Sequence, residues 1–201
     1  MTEIVQMFQA PVAKRDVFVT KNGKVASEHV LPIVMVKDPY TWMTSMCRHP
    51  YAAQWTRDSL GRCPNLVDEA GSQVQVDVHF NDPFRRTFES MVDFWNSWYM
   101  EWMNAPYPRL IVRYEDVLFH PESTVRQLCQ CAGGDLVGQF KFPQKSAKSG
   151  KGHGPEGSSS NHTTALSRYG NAKARYEAFS TKDLEFAETH LKATLMGLFG
   201  Y

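Results

Sequence analysis

The sequence predicts an α/β fold, a parallel sheet packed between helical layers, and three observations predict it. Residues 29–37 (HVLPIVMVK) and 109–118 (RLIVRYEDVL) are apolar runs rich in β-branched side chains, the composition of buried strands. Each is followed by a proline that can open a helix, at Pro39 and Pro121. Long stretches with apolar residues three and four apart lie between and after the runs, so strands alternate with helices along the chain.

Taken in order, residues 1–16 form an N-terminal segment and 17–201 a single domain. Residues 16–27 (DVFVTKNGKVAS) set Asn22-Gly23 between strand-forming residues, a strong hairpin signal. The run at 29–37 reads as a central strand buried on both faces. Asp38 then caps a helix that starts at Pro39 and ends near His49, because Pro50 cannot continue it. Residues 56–80 are polar, rich in turn formers and without a period. A second helix is expected from Asn81 or Asp82, with Phe84, Phe88, Met91, Trp95, Trp98 and Trp102 forming one apolar stripe until Asn104 to Pro108 stop it. That stripe has the period of a core face rather than of a base-stacking surface. The strand at 109–118 and a proline-started helix stopped by Gly133-Gly134 follow. Residues 145–164 are rich in Gly, Ser and Lys and read as an exposed loop. A last helix starts near Ser180, with Leu184, Ala187, Leu191, Leu195 and Leu198 on one face.

Composition excludes several classes. With 201 residues the chain can bury a real core. A net charge of +1 provides no general basic field for nucleic acid, so no nucleic-acid partner is expected. No stretch approaches the length of a membrane span, and the first residues lack the apolar core of a signal peptide, which points to a cytoplasmic protein. The sequon Asn161-His162-Thr163 matters only in a secreted chain, and a Golgi lumen is the alternative if the chain is a fragment. The four cysteines, Cys47, Cys63, Cys129 and Cys131, do not have zinc-ligand spacing, and free thiols in a reducing compartment are expected. No metal is expected. Oligomeric state is not legible.

Three segments carry chemistry. Lys37, at a strand end beside a helix N-terminus, adds a full charge to the partial charges of free N–H groups, and Ser45, two turns on, can offer a hydroxyl to the same anion. A plain reading of the same residues pairs Lys37 with Asp38 or a neighbouring acid and leaves Ser45 to cap or to face solvent. The local sequence does not choose between the two. Tyr114, at the end of the second strand, can present its ring or hydroxyl to a planar base, while Glu115 and Asp116 can cap backbone or hold cations. The stretch KSAKSGKGHGPEG combines glycines, which let backbone N–H groups approach a phosphate, with lysine point charges; a solvated loop reads equally well.

In this order the three segments resemble the sulfotransferases that use 3'-phosphoadenosine-5'-phosphosulfate as sulfuryl donor. The family's strand-end Arg and the Ser eight residues later hold the 3'-phosphate; Lys37 and Ser45 fit that pattern, with Lys in place of Arg. Tyr114-Glu115-Asp116 is similar to the family's Y-E-D element, whose tyrosine contacts adenine. Lys148, Lys151 and Gly152 are similar to its C-terminal lysine-glycine loop. The resemblance covers residues 17–201 and implies a P-loop-nucleotide-hydrolase-like sulfotransferase fold, with the nucleotide as co-substrate and no metal. It implies transfer to a hydroxyl of a carbohydrate or small-molecule acceptor. The family's N-terminal strand–loop–helix unit, which grips the 5'-phosphosulfate, is not visible, so the fold is expected to be N-terminally incomplete. Residues 20–27 (TKNGKVAS) are its only candidate and read better as a hairpin turn. By position, His29 is the candidate general base, and Lys21 the candidate charge for the bridging oxygen. The alternative is a non-catalytic nucleotide-binding remnant of the same fold. A P-loop kinase or NTPase is disfavoured, since G-x-x-x-x-G-K-[ST] is missing from the sequence.

Overall fold

Strand β8 (Arg109–Arg113) is the middle of the sheet in the first of two compact units, and its four leading residues are all buried. The computed structural model describes residues 5–8, 18–20, 23–25, 30–59, 61–79, 85–135, 138–141 and 162–201. It divides into residues 1–36 with 104–170, and residues 37–103 with 171–201.

In the first unit β4 (Ile33–Val36) runs parallel to β8, and β1 (Val5–Phe8) runs antiparallel to it, giving the order β1-β8-β4. The sheet is therefore parallel in one pair only, and β1 comes from the stretch ahead of residue 17. The expectation of a strand at 29–37 buried on both faces is corrected: β4 is four residues long, alternates exposed and buried, and lies at the sheet edge among the described residues. Pro32 explains its start, since a proline has no N–H for the ladder and contributes only its carbonyl, which accepts from the Leu110 N–H. Strands β2 (Phe18–Thr20) and β3 (Gly23–Val25) form the expected hairpin, with Gly23 opposite Thr20 inside the ladder rather than at the turn.

The second expected strand is also shorter. It ends at Arg113, and Tyr114 opens the short helix α3 (Tyr114–Phe119), so the Y-E-D element is helical. Helix α4 (Pro121–Cys131) follows; buried Thr124 donates to the carbonyls of Asp116 and His120 and locks it to α3. Gly133, at φ 73, ends α4 as expected. Within 145–164, the last three residues belong to α5 (His162–Gly170), whose His162 Nε2 lies 2.8 Å from the Leu118 carbonyl.

The second unit begins with α1 (Pro39–Arg48), capped by Asp38 as the sequence indicates: Oδ1 accepts from the Thr41 N–H at 2.9 Å. A three-stranded antiparallel sheet follows, of β5 (Ala53–Trp55), β6 (Val76–His79) and β7 (Arg85–Phe88). The sequence did not announce it, because β5 and β6 border a polar loop and β7 reads Arg-Arg-Thr-Phe with three exposed residues. The helix expected from Asn81 or Asp82 is corrected accordingly. Helix α2 (Met91–Asn104) starts after Ser90, whose hydroxyl accepts from the Asp93 N–H while the Asp93 carboxylate accepts from the Glu89 N–H. Phe88 thus sits on a strand and stacks on Phe94, centroids 4.5 Å apart. The buried face of α2 carries Met91, Val92, Trp95, Asn96 and Tyr99; Trp98, counted in the stripe, is exposed.

The expected last helix is two, α6 (Thr181–His190) and α7 (Ala193–Phe199), separated by an extended Leu191 and Lys192. The side-chain amide of buried Asn96 holds this break, its Nδ2 donating to the His190 carbonyl and its Oδ1 accepting from the Lys192 N–H. Leu191 and Leu195 remain buried, while Phe199 rather than Leu198 completes the inner face.

Asp183 ties α6 to the loop 66–74. Its Oδ2 accepts from the Ser180 N–H and hydroxyl in a capping box, and its Oδ1 accepts from the N–H groups of Leu66, at 2.7 Å, and Val67. Leu66 is fully buried and Asp183 is 4% exposed, so no water can readily replace this carboxylate. Asp183→Ala should therefore lower the free energy of unfolding by about 3 kcal/mol, from a lost cap and buried amides left unpaired. Urea denaturation of the variant measures this, and an unchanged midpoint would refute it.

Candidate functional site

Lys37 and Ser45 meet. The Lys37 ammonium donates to Ser45 Oγ at 2.8 Å, and the Ser45 hydroxyl donates to the Thr41 carbonyl one turn back at 2.8 Å. The eight-residue spacing allows this because Lys37 lies just before the cap and Ser45 on the second turn of α1. Arg48, one turn further on, reaches the same oxygen at 3.3 Å. A hydroxyl and two cations of opposite ends of one helix thus converge at half-exposed to exposed positions.

The turn that carries Lys37 is held from two sides within its unit. Trp95 Nε1, on the buried face of α2, donates to the Lys37 carbonyl at 3.2 Å. Asp38, 4% exposed, uses both of its carboxylate oxygens. One of its oxygens caps α1 through Thr41, and the other accepts from Arg175 Nη1 at 2.8 Å. The Arg175 guanidinium in turn lies over the Tyr176 ring, 4.7 Å from its centroid. Tyr40 packs edge-on against Tyr176 and Phe179, and burial, with the nearby Tyr176 and Asp38, pushes its phenol above the ordinary range, so it stays neutral as a packing group.

Tyr114 belongs to the other unit. It stands at the β8–α3 junction, as a strand-end residue should, and its ring lies 5.2 Å from that of Tyr169 on α5. In the same element, burial raises the Asp116 carboxyl above the ordinary range against the opposing pull of Arg113, 3.9 Å away. Lys21, His29, Lys148, Lys151 and Gly152 lie outside the described residues.

Sequence reasoning passed over three contributors. Arg48 had a usable signal, since three residues after Ser45 is the same helix face. Arg175, 137 residues from Asp38, had none. The third is covalent: Cys47, on the last turn of α1, is disulfide-bonded to Cys63, with Cα atoms 5.8 Å apart. This corrects the expectation of four free thiols; Cys129 and Cys131 alone are free. A separation of 16 residues is no signature by itself, and the pair forms because the chain turns back through β5. Among the described residues no group of acids, histidines and cysteines could hold a metal, and no helix is long and apolar enough to cross a membrane.

No family model, no curated protein and no solved structure matches the chain.

The disulfide fastens the end of α1 at the residue next to Arg48 and two residues from Ser45. Closing a loop of this length is worth about 3 kcal/mol. Cys47→Ser/Cys63→Ser, or reduction of the native protein, should lower the unfolding free energy by that order in a denaturant titration with and without reductant. Identical curves would show that the pair is not formed in solution.

Proposed function

We propose that the chain is a sulfotransferase that takes a sulfuryl group from 3'-phosphoadenosine-5'-phosphosulfate to a hydroxyl of a carbohydrate or small-molecule acceptor. The observation that carries the reading is the convergence of Lys37 and Arg48 on Ser45 Oγ beside a capped helix start. Two cations and a hydroxyl within hydrogen-bonding reach of one point suit a phosphate dianion, whose oxygens would take over the donors now spent on Ser45. Arg48 also supplies the guanidinium that the lysine at position 37 lacks, from another turn of the same helix. In this reading Tyr114 contacts the adenine, and Lys148, Lys151 and Gly152 cover the nucleotide.

The chemistry asks for positioning and charge stabilisation. The acceptor oxygen forms a bond to sulfur as the bond from sulfur to the phosphate oxygen breaks, and the electron pair leaves with phosphoadenosine phosphate. His29 is proposed to take the acceptor proton, and Lys21 to stabilise the departing oxygen. The Cys47–Cys63 disulfide favours an oxidising compartment for this activity, which is also where the Asn161 sequon would be read.

A second reading is a nucleotide binder without transfer. It draws on the β2–β3 ladder, an antiparallel hairpin where the family has a strand, a phosphosulfate loop and a helix.

Calorimetric titration with 3'-phosphoadenosine-5'-phosphate tests the first requirement. Wild type should bind; Lys37→Ala and Arg48→Ala should each weaken binding about tenfold or more, and Ser45→Ala about three- to tenfold. A folded protein that releases no heat with the nucleotide would sink both readings. Binding without transfer from the sulfated donor to any acceptor would leave the second.

A further inference from the structure

The Cys47–Cys63 disulfide lies inside the anion cluster in sequence. Cys47 follows Ser45 by two residues and precedes Arg48 by one, so the crosslink, the hydroxyl and the second cation share the last turn of α1.

The two cations are held by different means. Lys37 stands ahead of the helix, where Trp95 Nε1 donates to its carbonyl and Asp38 caps the first turn, and neither contact involves a cysteine. Arg48 depends on the last turn staying wound. It reaches Ser45 Oγ from three residues along, a spacing that brings two side chains together only in a helix. Burial does not hold that turn. Met46 is the final buried residue of α1, and none of residues 47–52 is buried before Ala53 at the start of β5. The His49 N–H donates to the Ser45 carbonyl at 3.0 Å, and Arg57 reaches the Cys47 carbonyl at 3.4 Å from an exposed position. A helix end held by such contacts opens at little cost. The covalent anchor is Cys47, bonded to Cys63 in the segment that Asp183 clamps at Leu66.

The bond is also within reach of a reductant, since both cysteines are half-buried rather than enclosed. A dithiol opens it in two exchanges. Its first thiolate bonds to one sulfur of the pair and expels the other cysteine; its second thiolate then expels the remaining cysteine and closes the reductant's own disulfide. Two electrons and the two protons of the dithiol end on Cys47 and Cys63.

We propose that the Cys47–Cys63 pair is a redox switch on the anion site. Oxidised, it holds Arg48 against Ser45, and both cations meet a phosphate dianion. Reduced, the last turn of α1 unwinds, Arg48 leaves, and Lys37 and Ser45 remain as a weaker site. The proposal rests on the reading of Lys37, Ser45 and Arg48 as a phosphate site and gives that site two affinities. The ratio between them cannot exceed what Arg48 itself contributes, and the coupling is reciprocal: the bound anion protects the disulfide from reduction.

The test is calorimetric titration of the full chain with 3'-phosphoadenosine-5'-phosphate, disulfide-bonded and after dithiothreitol, with a thiol count and circular dichroism on each sample. The disulfide-bonded form should bind about three- to tenfold more tightly. Cys47→Ser/Cys63→Ser should bind as the reduced wild type does and ignore the reductant. Arg48→Gln should bind equally in both states, while Lys37→Ala should bind weakly and keep the ratio. Saturating nucleotide should raise the proportion of disulfide to dithiol in a glutathione buffer by the same factor. Equal affinity of the two wild-type states, or a ratio that persists in Arg48→Gln, would overturn the switch. So would loss of the native circular dichroism on reduction, which would make the bond a requirement of the fold. Nucleotide binding without redox dependence removes the switch alone. Disulfide-bonded wild type that binds no nucleotide removes the phosphate-site reading and the switch with it.

Discussion

One buried carboxylate governs the second unit. Asp183 satisfies the first turn of α6 with one oxygen and the backbone of Leu66 and Val67 with the other, so a helix start and a loop more than 100 residues away share a single side chain. Within the loop the Val74 N–H donates to the Leu66 carbonyl and the Asp68 N–H to the Ser72 carbonyl, while the Leu66 and Val67 N–H groups turn to Asp183. Leu66 is therefore buried with its amide satisfied, beside a buried Asn65 whose Nδ2 donates to the Thr56 carbonyl. The position of this loop follows from the cap of a helix far along the chain.

The turn at Lys37 and Asp38 shows the same economy. Asp38 uses one oxygen for the cap of α1 and the other for Arg175, which leaves the adjacent Lys37 ammonium directed to Ser45. A lysine beside an aspartate is ordinarily read as an ion pair. Here the helix cap and a distant arginine both draw on the aspartate, and the lysine ammonium reaches Ser45. Two cations near one hydroxyl repel each other, and an anion between them relieves that repulsion.

The parts of this arrangement that were legible share one property: their determinants lie within a few residues of each other. The cap at Asp38, the proline starts at Pro39 and Pro121, the capping box at Ser180 and the end of α4 at Gly133 were all readable in this way. The Lys37–Ser45 contact was readable because eight residues is just over two helical turns. The sheet of β5, β6 and β7 was not, since its strands are only three or four residues long, β7 exposes three of its four residues, and they gain their pairing only from each other. The aromatic spacing from Phe84 to Trp102 misled for a related reason. Steps of three and four continue by chance from a strand into a helix, and the Ser90–Asp93 cap that marks the true boundary is two polar residues among aromatics. The Asp38–Arg175 and Asp183–Leu66 contacts join residues over 100 apart, and no local pattern encodes them.

The Cys47–Cys63 bond has one more consequence. It joins the last turn of α1 to the segment that leads into Asn65 and Leu66, so neither can fray alone. Helix ends and polar loops are ordinarily the first parts of a protein to open, each on its own timescale and at little cost. Crosslinked, and with the loop also clamped by Asp183, the end of α1 and the segment from Cys63 to Val67 are coupled, so that opening one strains the other. A local opening that would admit a protease at either place is thereby disfavoured.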